Sequence, residues 1–336
     1  MSIKDWSGGI ITKNQVTPDG PYQDGAASGV WTLDQAASYT KQGIWPMAGG
    51  GLTPKGLFAG SSVIQSVLMV STGTSSDFGD LTYPSSGIGG CASSTRGVFA
   101  GGQKSSSTTN VIQYVTIASA GNSTDFGDLT VGGEGKGACS NSTRGIFAGG
   151  DTTPGRSNVI DYITIATTGN AIDFGDLTDA REYNSGCSST TRGVFSGGTN
   201  NGGVLTNIID YITISSTGNA TDFGDTLTVT TKTSACSSST RGLISGGYNS
   251  GYAAVNTIQY ITIASAGNAI DFGDLTTVSE GGAACSSSTL GIIAMGSSTK
   301  VLNSVTIAST GNAISFGDLL YNASSIGACS NVHGGL

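Results

Sequence analysis

A phenylalanine in the run Asp-Phe-Gly-Asp, or in a close variant of it, returns at Phe78, Phe126, Phe174, Phe223, Phe272 and Phe316, at intervals of 48, 48, 49, 49 and 44 residues. A cysteine follows each one 13 residues later, at Cys91, Cys139, Cys187, Cys236, Cys285 and Cys329. A repeat of this period is the length of a propeller blade, a unit that cannot bury its own apolar face and must stack on its neighbours. Within one unit the runs "GACSNST", "RGIFAGG", "NVIDYITIATT" and "AIDFGDLT" are parted by Gly, Asn, Ser and Thr, the residues of tight turns. Four short strands per unit make a blade. The abundance of glycine (54 of 336 residues) and a charged fraction of 11% count against a helical protein.

The two ends of the repeat region predict how the array closes. It begins inside a unit at "PKGLFAG" (54–60), without the preceding "GACSSS" run, and that missing run arrives at "GACSNV" (327–332). The expectation is an all-β, six-bladed propeller of four-stranded blades over residues 53–336, in which the last strand completes the first blade and removes the open sheet edges. The "GACSSS" strands are expected innermost, where crowding favours residues as small as Ala138, Ser140 and Ala284. Because each cysteine holds the same place in a different blade, the six are read as free and buried, neither bridged nor converging on a metal.

Charge narrows the partners. The net charge is -8, the pI is near 4.4, and lysine and arginine are scattered, which leaves no surface for a phosphate backbone; nucleic acid is not expected as a partner. No apolar run reaches the roughly 18 residues of a membrane helix, and "MSIKDWSGG" lacks the apolar core of a secretion signal. Membrane insertion is not expected, and synthesis is placed in a host cytoplasm.

Several residues invite chemical readings. The carboxylates of "DFGD", such as Asp173 and Asp176, stand three apart, as calcium or acid–base chemistry could use. They recur in every unit except the last, where Ser315 replaces the first, and repetition points instead to a shared turn: an Asn-containing "TGNA" ends one strand, the aspartate caps turn amides, and Phe174 packs between blades. Arg96, Arg144, Arg192 and Arg241 recur in "RG" and are read as turn residues pairing with neighbouring blades. His333, the single histidine, is read as a turn residue, which excludes a histidine-bearing triad or copper site. No catalytic residue, metal or cofactor is assigned.

The copies differ mainly in two loops, which a four-stranded blade sends to one face. After the double glycines come "QKSSSTT", "DTTPGRS", "TNNGGVLT" and "YNSGYAAV"; before the cysteine strands come "VGGEGKG", "DAREYNS" and "VTTKTS". Variation on one face of a rigid ring is the layout of a binding surface. Arg156, Arg181, Tyr183, Asn200, Asn201, Tyr248 and Tyr252 are its candidate binding residues, because aromatic faces and planar polar groups suit sugars. The first loop is nearly deleted in blade 1 and shortened in blade 6, so a notch is expected between them. It is expected to take the N-terminal arm or a neighbouring protein.

The double glycines Gly101-Gly102, Gly149-Gly150, Gly197-Gly198 and Gly246-Gly247, followed by strands bearing Tyr114, Tyr162, Tyr211 and Tyr260, resemble the kelch repeat, with phenylalanine where that repeat has an outer-strand tryptophan. Ser123-Thr124-Asp125-Phe126-Gly127 is similar to the sialidase Asp-box, itself a hairpin feature of blades. Residues 1–52 hold all three tryptophans, and "ASGVWTLDQAASYTKQGIWP" reads as a short helix with Thr32 and Gln35 at its start. This stretch, "STRGVFAGG" and the "TGNATDFGD" runs resemble the structural proteins of marine tailed phages that carry Gly-rich kelch-like repeats. The resemblance implies a virion component, tail fibre or tail-associated, attached through residues 1–52 with Trp31, Leu33 and Trp45 as anchors. Its expected partners are other virion proteins, a host-surface glycan or protein, and a second copy of the chain. Two further readings stand beside it, a capsid decoration protein and a propeller glycan hydrolase or lyase.

Overall fold

Turn residues at short intervals leave the chain only strands of a few residues, and each needs a partner. In the computed structural model, which describes residues 53–296 and 299–336, every element is a strand. Gly89–Ala92, Arg96–Ala100, Val111–Thr116 and Thr124–Asp128 form one antiparallel sheet in chain order, and this pattern recurs with inner strands Gly137–Ser140, Ser185–Ser188, Ser234–Ser237 and Ala283–Ser286. The other blade sheet joins Lys55–Leu68 and Ser76–Ser85 to Gly327–Ser330, and three two-stranded ladders lie in the loops. Each inner strand touches that of the next blade, and Gly327–Ser330 touches the inner strands of both the sixth blade and the second. The protein is a six-bladed β-propeller.

The clasp forms as the sequence implied. Gly56, Leu57, Phe58 and Ala59 pair with Ser330, Cys329, Ala328 and Gly327. Lys55–Leu68 runs through two strand positions of this blade, and Met69 N–H donates to Pro54 O (2.9 Å), which brings its two ends side by side. The anchors Trp31, Leu33 and Trp45 and the helix expected near them lie outside the described residues.

The core sits between blades. Phe174 is buried beside Ile146, Ile160 and Leu177 of its own blade and Phe195, Ile212 and Ile214 of the next. Its ring meets Tyr162 edge-on at 6.0 Å, and Arg144 lies over that tyrosine at 4.6 Å while donating to Ile214 O of the next blade (2.8 Å). The arginines are therefore inter-blade ties, as read. The cysteines are free and buried, and each Sγ nests on the glycine that opens the second strand of another blade, four of them in "RG": a Cβ at Gly193 would lie 2.7 Å from Cys139 Sγ. Burial pushes the Cys187, Cys236 and Cys329 thiols up to about 12.

The opening motif proves to be a seam. Gly218 N–H donates to Phe174 O (2.8 Å) and Ala220 N–H to Asp176 O (2.7 Å), so the "TGNA" turn of one blade pairs with the "DFGD" strand of the blade before it. Gly175 must be glycine there, since its φ is 145° and a Cβ would lie 2.5 Å from Gly218 O. One detail departs from expectation. The capping side chain is asparagine, with Asn219 Oδ1 accepting from Asp176 N–H (3.1 Å), while Asp173 is exposed and contributes its backbone.

A second seam is buried on the third strands, where Gln65, Gln113, Asp161, Asp210, Gln259 and Asn303 occupy one equivalent position and act as a latch between blades. Asp161 accepts from Thr130 Oγ1 (2.5 Å) and Asp210 from Thr178 Oγ1 (2.7 Å), each from the strand exit of the preceding blade. Gln65 accepts from Tyr321 N–H (3.0 Å) across the closure.

Candidate functional site

The two variable loops of each blade lie on one face, joined by short ladders. Arg181 and Glu182 pair with Asn200 and Thr199, and single bridges link Ser86 with Gln103, Glu134 with Asp151, and Thr231 with Tyr248. The bridges bring the two varied loops of a blade together, but the candidate residues are distributed unevenly.

Arg181 is not on the surface. It is fully buried, its Nη2 paired with Asp210 Oδ2 at 2.8 Å, which supplies a countercharge where the other latch positions carry mostly neutral amides. The latch carboxylate of the preceding blade, Asp161, has Lys136 near it. Burial lowers the Lys136 ammonium to about 8, against the pull of Asp161, and Nζ donates to Gly149 O (2.6 Å). Sequence reasoning assigned Arg181 to recognition because planar polar groups in a varied loop suit sugars; a charged side chain is almost never fully buried unless paired, and here it is paired. The charge of Asp210 drew it inward.

Arg156 and Asn201 do meet, Arg156 N–H donating to Asn201 Oδ1 (2.8 Å), and the Arg156 guanidinium binds Glu182 at 2.6 Å. Asn200 is spent on its own loop, its Oδ1 accepting from Gly202 and Val204 N–H (3.0 and 3.2 Å). Tyr252 is 68% exposed at a loop tip. Tyr183 and Tyr248 come together through a residue not singled out in the sequence, Lys232, whose Nζ lies 4.8 Å from the first ring and 5.9 Å from the second. Tyr183 also donates to Glu134 (2.7 Å); burial and that bond push its phenol well above the ordinary range.

Glu134, Asp151 and Glu182 bring carboxylate oxygens within 4.8 Å of one another. Burial raises Glu182 above the usual carboxylate range, while Arg156 pulls in the opposite direction. Hard cations favour such oxygen sets. Here Arg156 already supplies a positive charge, and the Tyr183 hydroxyl occupies one oxygen of Glu134.

Tyr183 and Lys232 belong to a larger arrangement. Four residues before each cysteine stand Gly87, Gly135, Tyr183, Lys232, Gly281 and Ser325, all with φ between 48° and 67°. Gly135 N–H donates to Gly87 O (2.8 Å), Tyr183 to Gly135 (2.7 Å), Lys232 to Tyr183 (3.2 Å), Gly281 to Lys232 (3.0 Å), Ser325 to Gly281 (2.9 Å) and Gly87 to Ser325 (2.6 Å). These six bonds form a closed collar around the axis. Below it lies an axial cavity of about 140 Å³, walled by the inner strands.

Deeper still is a ring of serines. Ser188, Ser237, Ser286 and Ser330 each donate through Oγ to the carbonyl of the equivalent serine in the preceding blade, at 2.7, 2.7, 2.7 and 2.5 Å, and Ser140 donates to Ala92 O at 2.8 Å. Ala92, without a hydroxyl, breaks the ring. At that break His333 Nε2 reaches Ala92 O (2.9 Å) and Ser140 Oγ (3.2 Å), and Gly334 N–H donates to Ser237 O (3.1 Å). Residues 333–336 thus cross this end of the axis, leaving the cavity a pit that faces the variable loops. His333 is a plug residue as well as a turn residue.

No protein-family model matches the chain, and no curated protein matches it.

Proposed function

We propose that the chain is a non-enzymatic structural protein of a phage virion whose loop-bearing face meets a host surface or another virion protein, with residues 1–52 as the attachment segment. One observation carries this reading. The repeated groups that might have served chemistry, the "RG" arginines, the "DFGD" run through its backbone, and the cysteines, lie in contacts that hold blades together, while the residues that differ between blades gather on one face around the pit. A rigid disc with a single individual face suits recognition. The virion setting comes from the sequence resemblance, which leaves tail fibre, tail tip and capsid decoration as alternative positions.

The carboxylates Glu134, Asp151 and Glu182 favour a second reading, a glycan hydrolase or lyase, since paired carboxylates about 5 Å apart flank the bond in retaining glycosidases. Virions lacking the protein separate the two: loss of adsorption to cells supports recognition. Release of sugar from host envelope by the purified protein, abolished by Glu182→Gln, would replace it with the enzyme.

A further inference from the structure

The axial pit has a lining that neither the collar nor the serine ring explains. In the second blade Ser93 N–H donates to Arg96 O, and with the pairing of Cys91 to Val98 this turns the backbone groups of Gly90 and Ala92 toward the axis. Both groups of Ala92 are taken by Ser140 Oγ. One level up, Gly90, Ala138, Gly186, Ala235, Ala284 and Ala328 line the pit and turn N–H and C=O toward it by the same register, and no described residue hydrogen-bonds those groups. Backbone groups withdrawn from bulk water are almost always paired. Each blade therefore brings to the pit one donor and one acceptor, side by side on a single residue, that await a partner.

Three contacts elsewhere in the ring show which chemistry meets such a pair. Gln113 Oε1 accepts from Tyr83 N–H (3.1 Å) while its Nε2 donates to Tyr83 O (2.8 Å). Gln65 holds both groups of Tyr321 (3.0 and 3.4 Å), and Asn201 both groups of Arg156 (2.8 and 3.5 Å). In each case a primary carboxamide reaches across from another blade and sets its own acceptor and donor against the N–H and C=O of one residue. A carboxylate only accepts, and an ammonium or guanidinium only donates, so either would leave half of the axial layer unmet. Size agrees with chemistry. A cavity of about 150 Å³ holds benzene, the pit measures about 140 Å³, and a carboxamide on a two-carbon stem has fewer non-hydrogen atoms than benzene. The mouth is distinctive as well: Tyr183, Lys232 and Ser325 hold φ of 52°, 56° and 48° where other blades use glycine, a strain found mainly at ligand clamps and switch sites.

We propose that the axial pit is a binding site for a primary carboxamide group, which enters through the collar and pairs with the N–H and C=O of one inner-strand residue. The group can be the end of a glutamine side chain on a partner protein or a small free amide. The first source rests on the loop-bearing face being the recognition face; the second needs no partner.

The test uses the isotope-labelled full chain, with propionamide at millimolar concentration as the probe and amide-correlation NMR as the readout. The amide signals of Gly90, Ala138, Gly186, Ala235, Ala284 and Ala328 should shift and saturate, while those of the outer strands stay still. Propionate and butanone copy the shape of propionamide without its donors, and each should bind about tenfold more weakly, the cost of leaving a buried acceptor unmet. In Ser325→Cys the new thiol is the accessible one, since the native six are buried, and a nitroxide attached there should broaden the signals of bound propionamide relative to a diamagnetic control. Axial signals that do not move overturn the site, and so does propionate or butanone binding as tightly as propionamide. Absence of broadening overturns entry through the collar. The peptides Gly-Gln-Gly and Gly-Glu-Gly separate the sources: shifts with the first alone support a partner's glutamine, and propionamide binding without response to either peptide overturns that source. These readouts need no virion, so a negative result here leaves the adsorption test of the virion role standing.

Discussion

At the residue scale, small side chains here are set by what the next blade puts against them. Gly193 has no conformational need to be glycine; it is glycine because Cys139 Sγ occupies the space a Cβ would take, at 2.7 Å. Gly193→Ala should therefore destabilise by about 1–3 kcal/mol through overpacking. Adding Cys139→Ala should return much of the loss, and a double-mutant cycle in urea that shows simple additivity would refute this pairing. Arg181 follows a different rule. Arg181→Met alone strands the Asp210 carboxylate in the core, for a cost of about 3–5 kcal/mol. Arg181→Met with Asp210→Gln restores the neutral latch of Gln113 and should recover most of it. Denaturation curves of the two variants beside wild type decide whether Arg181 is structural or, contrary to its burial, a ligand contact.

At the element scale, the segment across the axis responds to pH. Nδ1 of His333 accepts from Gly335 N–H (3.1 Å), so the proton sits on Nε2, which donates to Ala92 O; the neutral ring satisfies both contacts, and a second proton abolishes the first. Burial accordingly holds the imidazole below its ordinary value of 6.5. With the folded value depressed, the stabilisation by this residue is fully present above about pH 6.5 and is lost as pH falls through the folded value. Wild type minus His333→Gln, compared by thermal melting from pH 7.5 to 5, should show the difference shrinking on the acid side. An unchanged difference would mean that His333 does not titrate against the fold. Elements were also where the sequence was most and least legible. Four strands per unit, the seam at Phe174 and the clasp at 327–330 were readable because each is written in a residue that recurs or is missing on schedule. The collar was not, because Gly87, Tyr183, Lys232 and Ser325 share no chemistry, only a backbone conformation and a register. Arg181 was misread for a related reason: its partner Asp210 lies 29 residues away, and only the inter-blade packing brings the two charges together.

At the scale of the whole molecule, closure depends on the strand Gly327–Ser330. Removing residues 327–336 exposes the edge at Gly56–Ala59 and opens the serine ring between Ser286 and Ala92, so the truncated protein should aggregate or lose its cooperative melt. A soluble monomer with unchanged melting, seen by size-exclusion chromatography and calorimetry, would show that five sheets and a partial sixth suffice. The clasp also decides how the ring bears load. Gly56 and Ser330 are opposite each other, and Lys55 and Asn331 bind across the same end, so the chain enters and leaves that sheet side by side. Tension applied between those two points peels the pairs apart one after another instead of shearing them together, and the five other blades lie outside the path of the force. A pull carried from Lys55 to the loop-bearing face runs through the body of the disc and leaves this zipper unloaded. Under the proposed role, with residues 1–52 as the tether and the loop-bearing face as the grip, the load would run along the path that spares the zipper.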